Sequence, residues 1–131
     1  PMRAIATTAA YASEHPCAEV IGDALSVSAL LWREPAMAGR VGFDGELEAY
    51  PPDALVRWIE FQQADTPGWF TAARPYALLI GSTIDHPQLV SRLEHLPHAL
   101  VLSRGLRGAA VLNPTSRGPT CRSAPLGQLG N

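Results

Sequence analysis

The residues best suited to binding chemistry are arginines and neutral polar side chains near the ends of predicted strands. They are Arg3, Arg57, Gln63, Arg74, Arg104, Arg107 and Asn113. A guanidinium binds a carboxylate through paired hydrogen bonds and keeps its charge when partly buried. Aromatic residues adjoin several of these positions, namely Tyr50, Phe61, Trp69 and Tyr76. Cations beside aromatic walls suit a small anionic ligand in an apolar cleft, although arginines at a solvated sheet rim give the same pattern.

Sequence motifs for metal, hydrolytic and nucleotide chemistry are missing. Cys17 and Cys121 form no CxxC pair, and the histidines show neither HxH nor HExxH spacing, so we expect no metal and no cofactor. No serine stands in a GxSxG turn. His95 and His98 lie at a predicted helix end, where capping or exposure is the expected role and acid–base chemistry the alternative.

Length and composition favour one globular domain. The chain has 131 residues, of which 47% are hydrophobic and 17% charged. Ten basic residues against twelve acidic ones give a net charge of -2, which argues against nucleic acid or an anionic membrane as partner. No stretch reaches the roughly 20 apolar residues that span a bilayer, and no signal-peptide pattern opens the sequence. We therefore expect a cytoplasmic protein.

The first half of the chain predicts two strands around a long helix. Residues 2–10 are short and apolar, which favours a strand, and residues 17–33 place apolar side chains at helical spacing. Pro35 ends that helix, because a residue before proline resists helical geometry. Residues 39–47 alternate apolar and polar positions, as a strand with one solvated face does.

The second half predicts two helices and three strands. Pro51 and Pro52 suit the first turn of a helix, and a turn at 65–68 leads to an apolar strand at 76–80. Residues 85–96 carry an apolar stripe that predicts a third helix, with Asp85 able to cap it. Two further strands are expected at 99–102 and 109–112.

These elements predict an α+β fold with a single mixed sheet and helices packed on one face. The domain is expected to cover residues 1–114. Residues 115–131 are rich in Pro, Gly, Ser and Thr, and little in them can be buried, so they are expected to form a tail.

Three stretches in a common order resemble the AroH-class chorismate mutases. They are ELEAYPPDA at 46–54, QQADTPG at 62–68 and LRGAAVLNP at 106–114, and the opening RAIATT at 3–8 adds a looser match. The resemblance implies a small homotrimer with a chorismate mutase-like, ferredoxin-related fold. It also implies a site between subunits, where arginines promote the rearrangement of chorismate to prephenate by positioning and electrostatics.

The positions that match the family's site depart from it. Family arginines fall on Ala6 and Asn113, a family glutamate falls on Gln63, and a family tyrosine falls on Gly105. Arg74 matches one arginine with an offset of about a residue, and Tyr50 keeps an aromatic position. Losing a charge-stabilising donor costs orders of magnitude in rate, so ordinary chorismate mutase activity is not expected.

The resemblance and these departures together suggest a pocket repurposed for a small-molecule substrate other than chorismate. Arg74 and Gln63 are then the expected catalytic residues for a pericyclic, cyclisation or isomerisation step. The expected substrate-binding residues are Tyr50, Arg57, Arg104, Arg107, Leu112 and Asn113. Two alternatives remain: a non-catalytic trimer that binds a metabolite or a protein, and an accessory or immunity protein unrelated to the family.

Overall fold

The structure is a computed structural model that describes residues 2–44 and 47–114 of the chain. Its helices and strands are α1 (Met2–Glu14), β1 (Val20–Gly22), α2 (Ala24–Arg33), α3 (Pro52–Gln63), β2 (Leu78–Ser82), α4 (Pro87–Glu94), β3 (Leu100–Gly105) and β4 (Gly108–Leu112). Short 3-10 turns lie at Pro35–Met37, Leu47–Ala49 and Thr71–Ala73. The α+β class expected from the sequence is confirmed.

The strands of the described chain form one four-stranded sheet in the order β1-β2-β4-β3. β1 is parallel to β2, and β4 is antiparallel to both β2 and β3. Ile21, Leu79 and Val111 are aligned in adjacent positions across the three strands β1, β2 and β4. The predicted single mixed sheet is therefore present.

Helices cover both faces of the sheet, so the prediction that they pack on one face is wrong. Successive residues of a strand point to opposite faces. Val20 and Leu78 belong to a core shared with α1 and α2, whereas Ile21 and Leu79 belong to a second core with α3 and α4. Every residue of β1 and β2 is buried, and all but Ser82 are apolar or glycine, so the sheet needs cover on both sides.

Helix α1 occupies the segment for which the sequence predicted a strand at 2–10. Alanine is the strongest helix former, and this segment is rich in it. Its buried residues Ala4, Ile5, Thr8 and Ala12 follow a helical period, and the Thr8 hydroxyl donates to the Ala4 carbonyl at 2.8 Å. These buried residues recur at helical spacing, but the sequence analysis considered the segment as one short apolar run and therefore predicted a strand.

The helix predicted at 17–33 is a strand followed by a shorter helix. Cys17 lies in a turn, Val20–Gly22 form β1, and α2 begins at Ala24. Asp23 is the N-cap, and its side chain accepts a hydrogen bond from the Ser26 amide. The three-residue strand is too short to interrupt the helical spacing of the surrounding apolar residues, which is why the pattern read as one helix.

The strand predicted at 39–47 is not formed in its described part. Val41 makes an isolated parallel bridge to Val20, and Phe43 has a positive φ of 59° that takes the chain away from the sheet. Residues 45 and 46 lie outside the described part.

The second half of the chain follows the prediction closely, with α3, β2, α4, β3 and β4 all in the expected order. One detail differs: His86 is the N-cap of α4, and Asp85 makes no capping bond. The predicted tail at 115–131 lies outside the described residues. In the parts of the chain that are described, no helix has the length and apolar character needed to cross a bilayer.

Candidate functional site

A cleft between α3 and the segment 71–76 is lined by Arg57, and three other predicted site residues, Tyr50, Arg74 and Asn113, lie beside it. Its volume is about 240 Å³, and its lining residues are Phe43, Ala54, Arg57, Thr71, Ala72, Pro75 and Tyr76. We call it the α3 cleft. Pockets for drug-sized ligands usually measure about 300–1,000 Å³, so this one suits a small metabolite.

Phe43, which lines the α3 cleft, belongs to a stack of aromatic rings. Phe43 lies between Tyr50, at a centroid distance of 4.6 Å, and Trp58, at 5.1 Å. The Tyr50 hydroxyl oxygen accepts a hydrogen bond from the Phe43 amide at 3.0 Å, and the Trp58 indole donates to the Gly22 carbonyl at 2.9 Å. The stack is thus fixed to β1 and offers a rigid apolar surface.

The backbone of Phe43 adopts an unusual conformation. Its φ of 59° lies in the left-handed region, which is uncommon for a bulky residue. Such a conformation persists when surrounding contacts hold it, and it is often found at ligand sites. Here the contacts are the two stacked rings and the Tyr50 hydroxyl.

Tyr76 supplies a phenol to the lining of the cleft. Its hydroxyl packs over Gly42, where a Cβ atom would overlap it. Burial raises the pKa of the Tyr76 phenol, and the negative charge of Glu19 and the neighbouring Tyr50 raise it further. Like an ordinary tyrosine, Tyr76 is protonated at neutral pH, and its phenol can donate a hydrogen bond.

Arg57 supplies the cation at the rim of the cleft. It pairs with Asp53 one helical turn earlier at 3.8 Å, and the two side chains are 54% and 74% exposed. An ion pair at this distance and exposure contributes little, because water screens it. The guanidinium is consequently available to an anionic ligand.

Asn113, expected to bind substrate, holds the backbone that forms the cleft. Its side-chain amide donates to the carbonyls of Ala73 at 3.0 Å, Arg74 at 3.3 Å and Tyr76 at 2.8 Å. Through these bonds the buried side-chain amide of Asn113 stabilises the backbone of the cleft wall. Arg74, expected to be catalytic, is exposed and directly precedes Pro75 of the lining.

Gln63 and Leu112 do not line the α3 cleft. Gln63, the second expected catalytic residue, is exposed at the end of α3. The buried glutamine is its neighbour Gln62, whose side-chain oxygen accepts the Ala24 amide at 3.0 Å and joins α3 to α2. Leu112 is half-buried in β4 between Leu78 and Leu100.

Arg104 and Arg107 lie at the opposite end of β4 from Asn113. Arg104 is paired with Glu94 at 3.8 Å. Arg107 belongs to a separate cavity of about 520 Å³ at the β3–β4 turn, lined by Met2, Arg3, Ala4, Gly105, Leu106, Arg107 and Gly108. Of the predicted arginines, Arg57 and Arg74 thus adjoin the α3 cleft, Arg3 and Arg107 line the cavity at the β3–β4 turn, and Arg104 lines neither.

Asp23 and His86 form a polar pair that the sequence analysis did not single out as a site. Asp23 Oδ1 accepts from the Ser26 amide at 3.1 Å, and Oδ2 contacts the Ser82 amide and His86 Nδ1, each at 3.1 Å. The available signal was an aspartate between an apolar strand and a helix, the usual N-cap position. The sequence gives no signal that brings His86 to it. No group of three or more potential metal ligands occurs within 2–44 and 47–114.

The stretches that carry the family resemblance fall on different kinds of element. Residues 47–54 enter α3, and residues 106–114 form the last strand and its preceding turn. Residues 3–8 lie in α1, where the family pattern has a strand. Comparison with protein-family models, curated proteins and solved structures finds no match to this chain.

Proposed function

We propose that this chain binds a small carboxylate with an apolar or aromatic body in the α3 cleft. The observation that carries this proposal is the position of the exposed Arg57 in a cleft that Phe43 and Tyr76 also line. The guanidinium would hold the carboxylate, and the rings would contact the apolar body.

The volume and the polarity of the cleft support this ligand class. A cavity of about 240 Å³ accommodates a single ring with a short substituent and excludes a nucleotide. Because the lining has one guanidinium and mostly apolar surface, a ligand with a single carboxylate fits better than one with several charges.

The phenol of Tyr76 favours a catalytic role for the same site. It lines the cleft, and a protonated phenol is a hydrogen-bond donor. A donor held beside a bound compound stabilises an oxygen that gains negative charge in a rearrangement or cyclisation. We therefore keep a non-covalent isomerisation or cyclisation as the reaction class, with simple metabolite binding as the alternative. The homotrimer implied by the family resemblance is part of the proposal.

Calorimetric titration with benzoate, chorismate and neutral benzamide tests the binding proposal. Benzoate and chorismate should bind, and benzamide at least about tenfold more weakly, since it lacks the charge that Arg57 recognises. Arg57→Gln should weaken benzoate binding about tenfold. Arg33→Gln, a change at an exposed arginine at the end of α2, is the control and should leave binding unchanged. Equal binding of benzoate and benzamide, or an unaffected Arg57→Gln variant, would contradict the proposal.

Proton NMR of unsaturated carboxylates incubated with the protein distinguishes the catalytic proposal from the non-catalytic alternative. Chorismate should bind without conversion to prephenate, because the family's charge-stabilising positions are changed. Conversion of another cyclic carboxylate that Tyr76→Phe slows without weakening binding would support catalysis. Binding without conversion across such compounds would support the non-catalytic alternative. Light scattering on the same sample tests the expected trimer.

A further inference from the structure

A second polar site lies at the opposite end of β2 from the α3 cleft. The cleft segment 71–76 precedes β2, whereas Asp23 and Ser82 lie at the carboxyl ends of the parallel strands β1 and β2. Ligands of open α/β sheets bind outside the carboxyl ends of such strands. His86 follows closely and caps α4 at this edge.

The hydrogen bonds of Asp23 fix the tautomer of His86. Asp23 is fully buried, and Oδ2 already accepts the backbone N–H of Ser82. Because a carboxylate has only acceptor oxygens, the contact at 3.1 Å requires His86 Nδ1 to carry the proton. In the neutral imidazole the lone pair then lies on Nε2, and within the described residues no hydrogen bond engages that nitrogen. The imidazole is 25% exposed, so a small molecule can reach it.

Two other histidines of the chain make a different contact through Nδ1. The Nδ1 atoms of His15 and His95 contact the backbone carbonyls of Tyr11 and Ser91 in their own helices. Among the described histidines, His86 alone has a carboxylate on Nδ1. The Ser26 contact caps α2 and the Ser82 contact joins the cap to β2, so neither of these backbone roles of Asp23 requires the histidine.

We infer that His86 is a general base that activates water at this edge, with Asp23 as its positioning residue. Nε2 takes a proton from water while the water oxygen bonds to the carbonyl carbon of an ester. The ester C–O bond then breaks, and the leaving oxygen takes the proton back from the imidazolium. Ester and water become acid and alcohol, with no other reactant, and the Asp23 carboxylate stabilises the transient imidazolium.

As the substrate class we infer esters with a small apolar acyl group, because two exposed apolar side chains lie on loops next to His86 in the chain or joined to its loop by hydrogen bonds. Ile84, two residues before it, is 58% exposed, and Leu106 on the β3–β4 turn is 96% exposed. Thr83 joins these two loops: its amide donates to the Arg107 carbonyl at 3.0 Å and its hydroxyl to the Leu106 carbonyl at 2.8 Å. Two exposed apolar side chains on connected loops offer contact surface for such a group.

Hydrolysis of phenyl acetate by the whole chain, followed as phenol release, tests the inference. His86→Gln should lower the rate about 100-fold, the contribution typical of a general base. His95→Gln is the matched control, since His95 is exposed and has a carbonyl on Nδ1, and it should retain the wild-type rate. A wild-type rate no higher than that of His86→Gln overturns the inference, as does an acetyl adduct on His86.

The role of Asp23 is tested by separating kcat from KM. Asp23→Asn keeps an acceptor for the Ser26 amide, and it should lower kcat about tenfold or more while KM stays constant. Wild type should show a normal solvent deuterium isotope effect on kcat, because water loses a proton in the transition state. An unchanged kcat in folded Asp23→Asn overturns the positioning role. If circular dichroism shows that Asp23→Asn does not fold, the variants His86→Gln and His86→Asn, at a partly exposed position, carry the test.

Discussion

The side-chain amide of Asn113 donates to the backbone carbonyl of Tyr76 at 2.8 Å, which joins the end of β4 to one wall of the α3 cleft. The backbone N–H of Asn113 also donates to the Ala77 carbonyl at 2.9 Å, so the pairing between β4 and the β2 side of the sheet continues past the last residue of β4. The cleft wall is therefore an extension of the sheet, and its geometry depends on this one side chain.

Replacing Asn113 should lower the free energy of unfolding, because its side chain donates the hydrogen bonds to the carbonyls of the segment 73–76. Asn113→Ala leaves buried carbonyls of the segment 73–76 without their donor and should lower the free energy of unfolding by about 2 kcal/mol. Asn113→Asp should cost more, because a carboxylate of the same shape faces carbonyl oxygens. Urea unfolding measures both. A stability order with Asn113→Asp above Asn113→Ala would contradict this role.

Arg40 should be a structural arginine of the α1–β1 connection. Its guanidinium donates to the carbonyls of Ala12 at 3.1 Å, His15 at 2.8 Å and Ala18 at 2.9 Å. Burial lowers the pKa of Arg40, and Glu19 opposes that shift. Arg40→Met should lower the free energy of unfolding by about 3 kcal/mol, since several charge-assisted hydrogen bonds are lost. Arg33→Met, on an exposed helix end, is the control, and equal stability of the two variants would refute the role.

Gly42 should be required for the position of Tyr76. A Cβ atom there overlaps the Tyr76 hydroxyl, so Gly42→Ala should displace the ring and lower the free energy of unfolding by about 2 kcal/mol. It should also weaken benzoate binding. Gly68→Ala is the control, because a Cβ atom there approaches other atoms no closer than 3.9 Å. The variants are compared by thermal unfolding and calorimetry, and a Gly42→Ala protein that matches Gly68→Ala in both would count against this packing.

The stability of the protein should fall at alkaline pH because of Tyr76. The pKa of Tyr76 is raised in the folded state, whereas tyrosine in the unfolded chain ionises at about pH 10. As pH rises, the unfolded chain therefore loses this proton before the folded protein does. The stabilisation is fully present below that pH and is lost as pH rises towards the folded-state pKa. Melting temperatures recorded from about pH 8 to pH 11 should decline more steeply for wild type than for Tyr76→Phe. Parallel declines would contradict the assignment.

The sequence predicted the second half of the fold well because its signals are local and strong. Proline in the first turn marks α3, and an apolar stripe marks α4. The first half misled for physical reasons. Helix α1 is rich in alanine and apolar along one stripe, and in the sequence this short apolar run resembles a strand. Strand β1 has only three residues, and the helical spacing of the apolar residues around it hides so short a strand.

The candidate site was predictable only in part, because it depends on contacts between distant segments. Residue type and neighbouring aromatics pointed to Arg57 and Tyr50, which lie in or against the α3 cleft. The role of Asn113 follows from carbonyls more than thirty-five residues away in sequence, and the Asp23–His86 contact joins positions 63 residues apart. No local pattern encodes either contact, and the difference between buried Gln62 and exposed Gln63 follows from where α3 meets α2.

The most direct test of the proposed function is a benzoate titration followed by amide NMR of the isotopically labelled chain. The account predicts saturable shifts at Phe43, Arg57 and Tyr76, which line the α3 cleft, and no comparable shifts with benzamide. Shifts centred on Arg3 and Arg107 at the β3–β4 turn, or no saturable shifts at all, would contradict it.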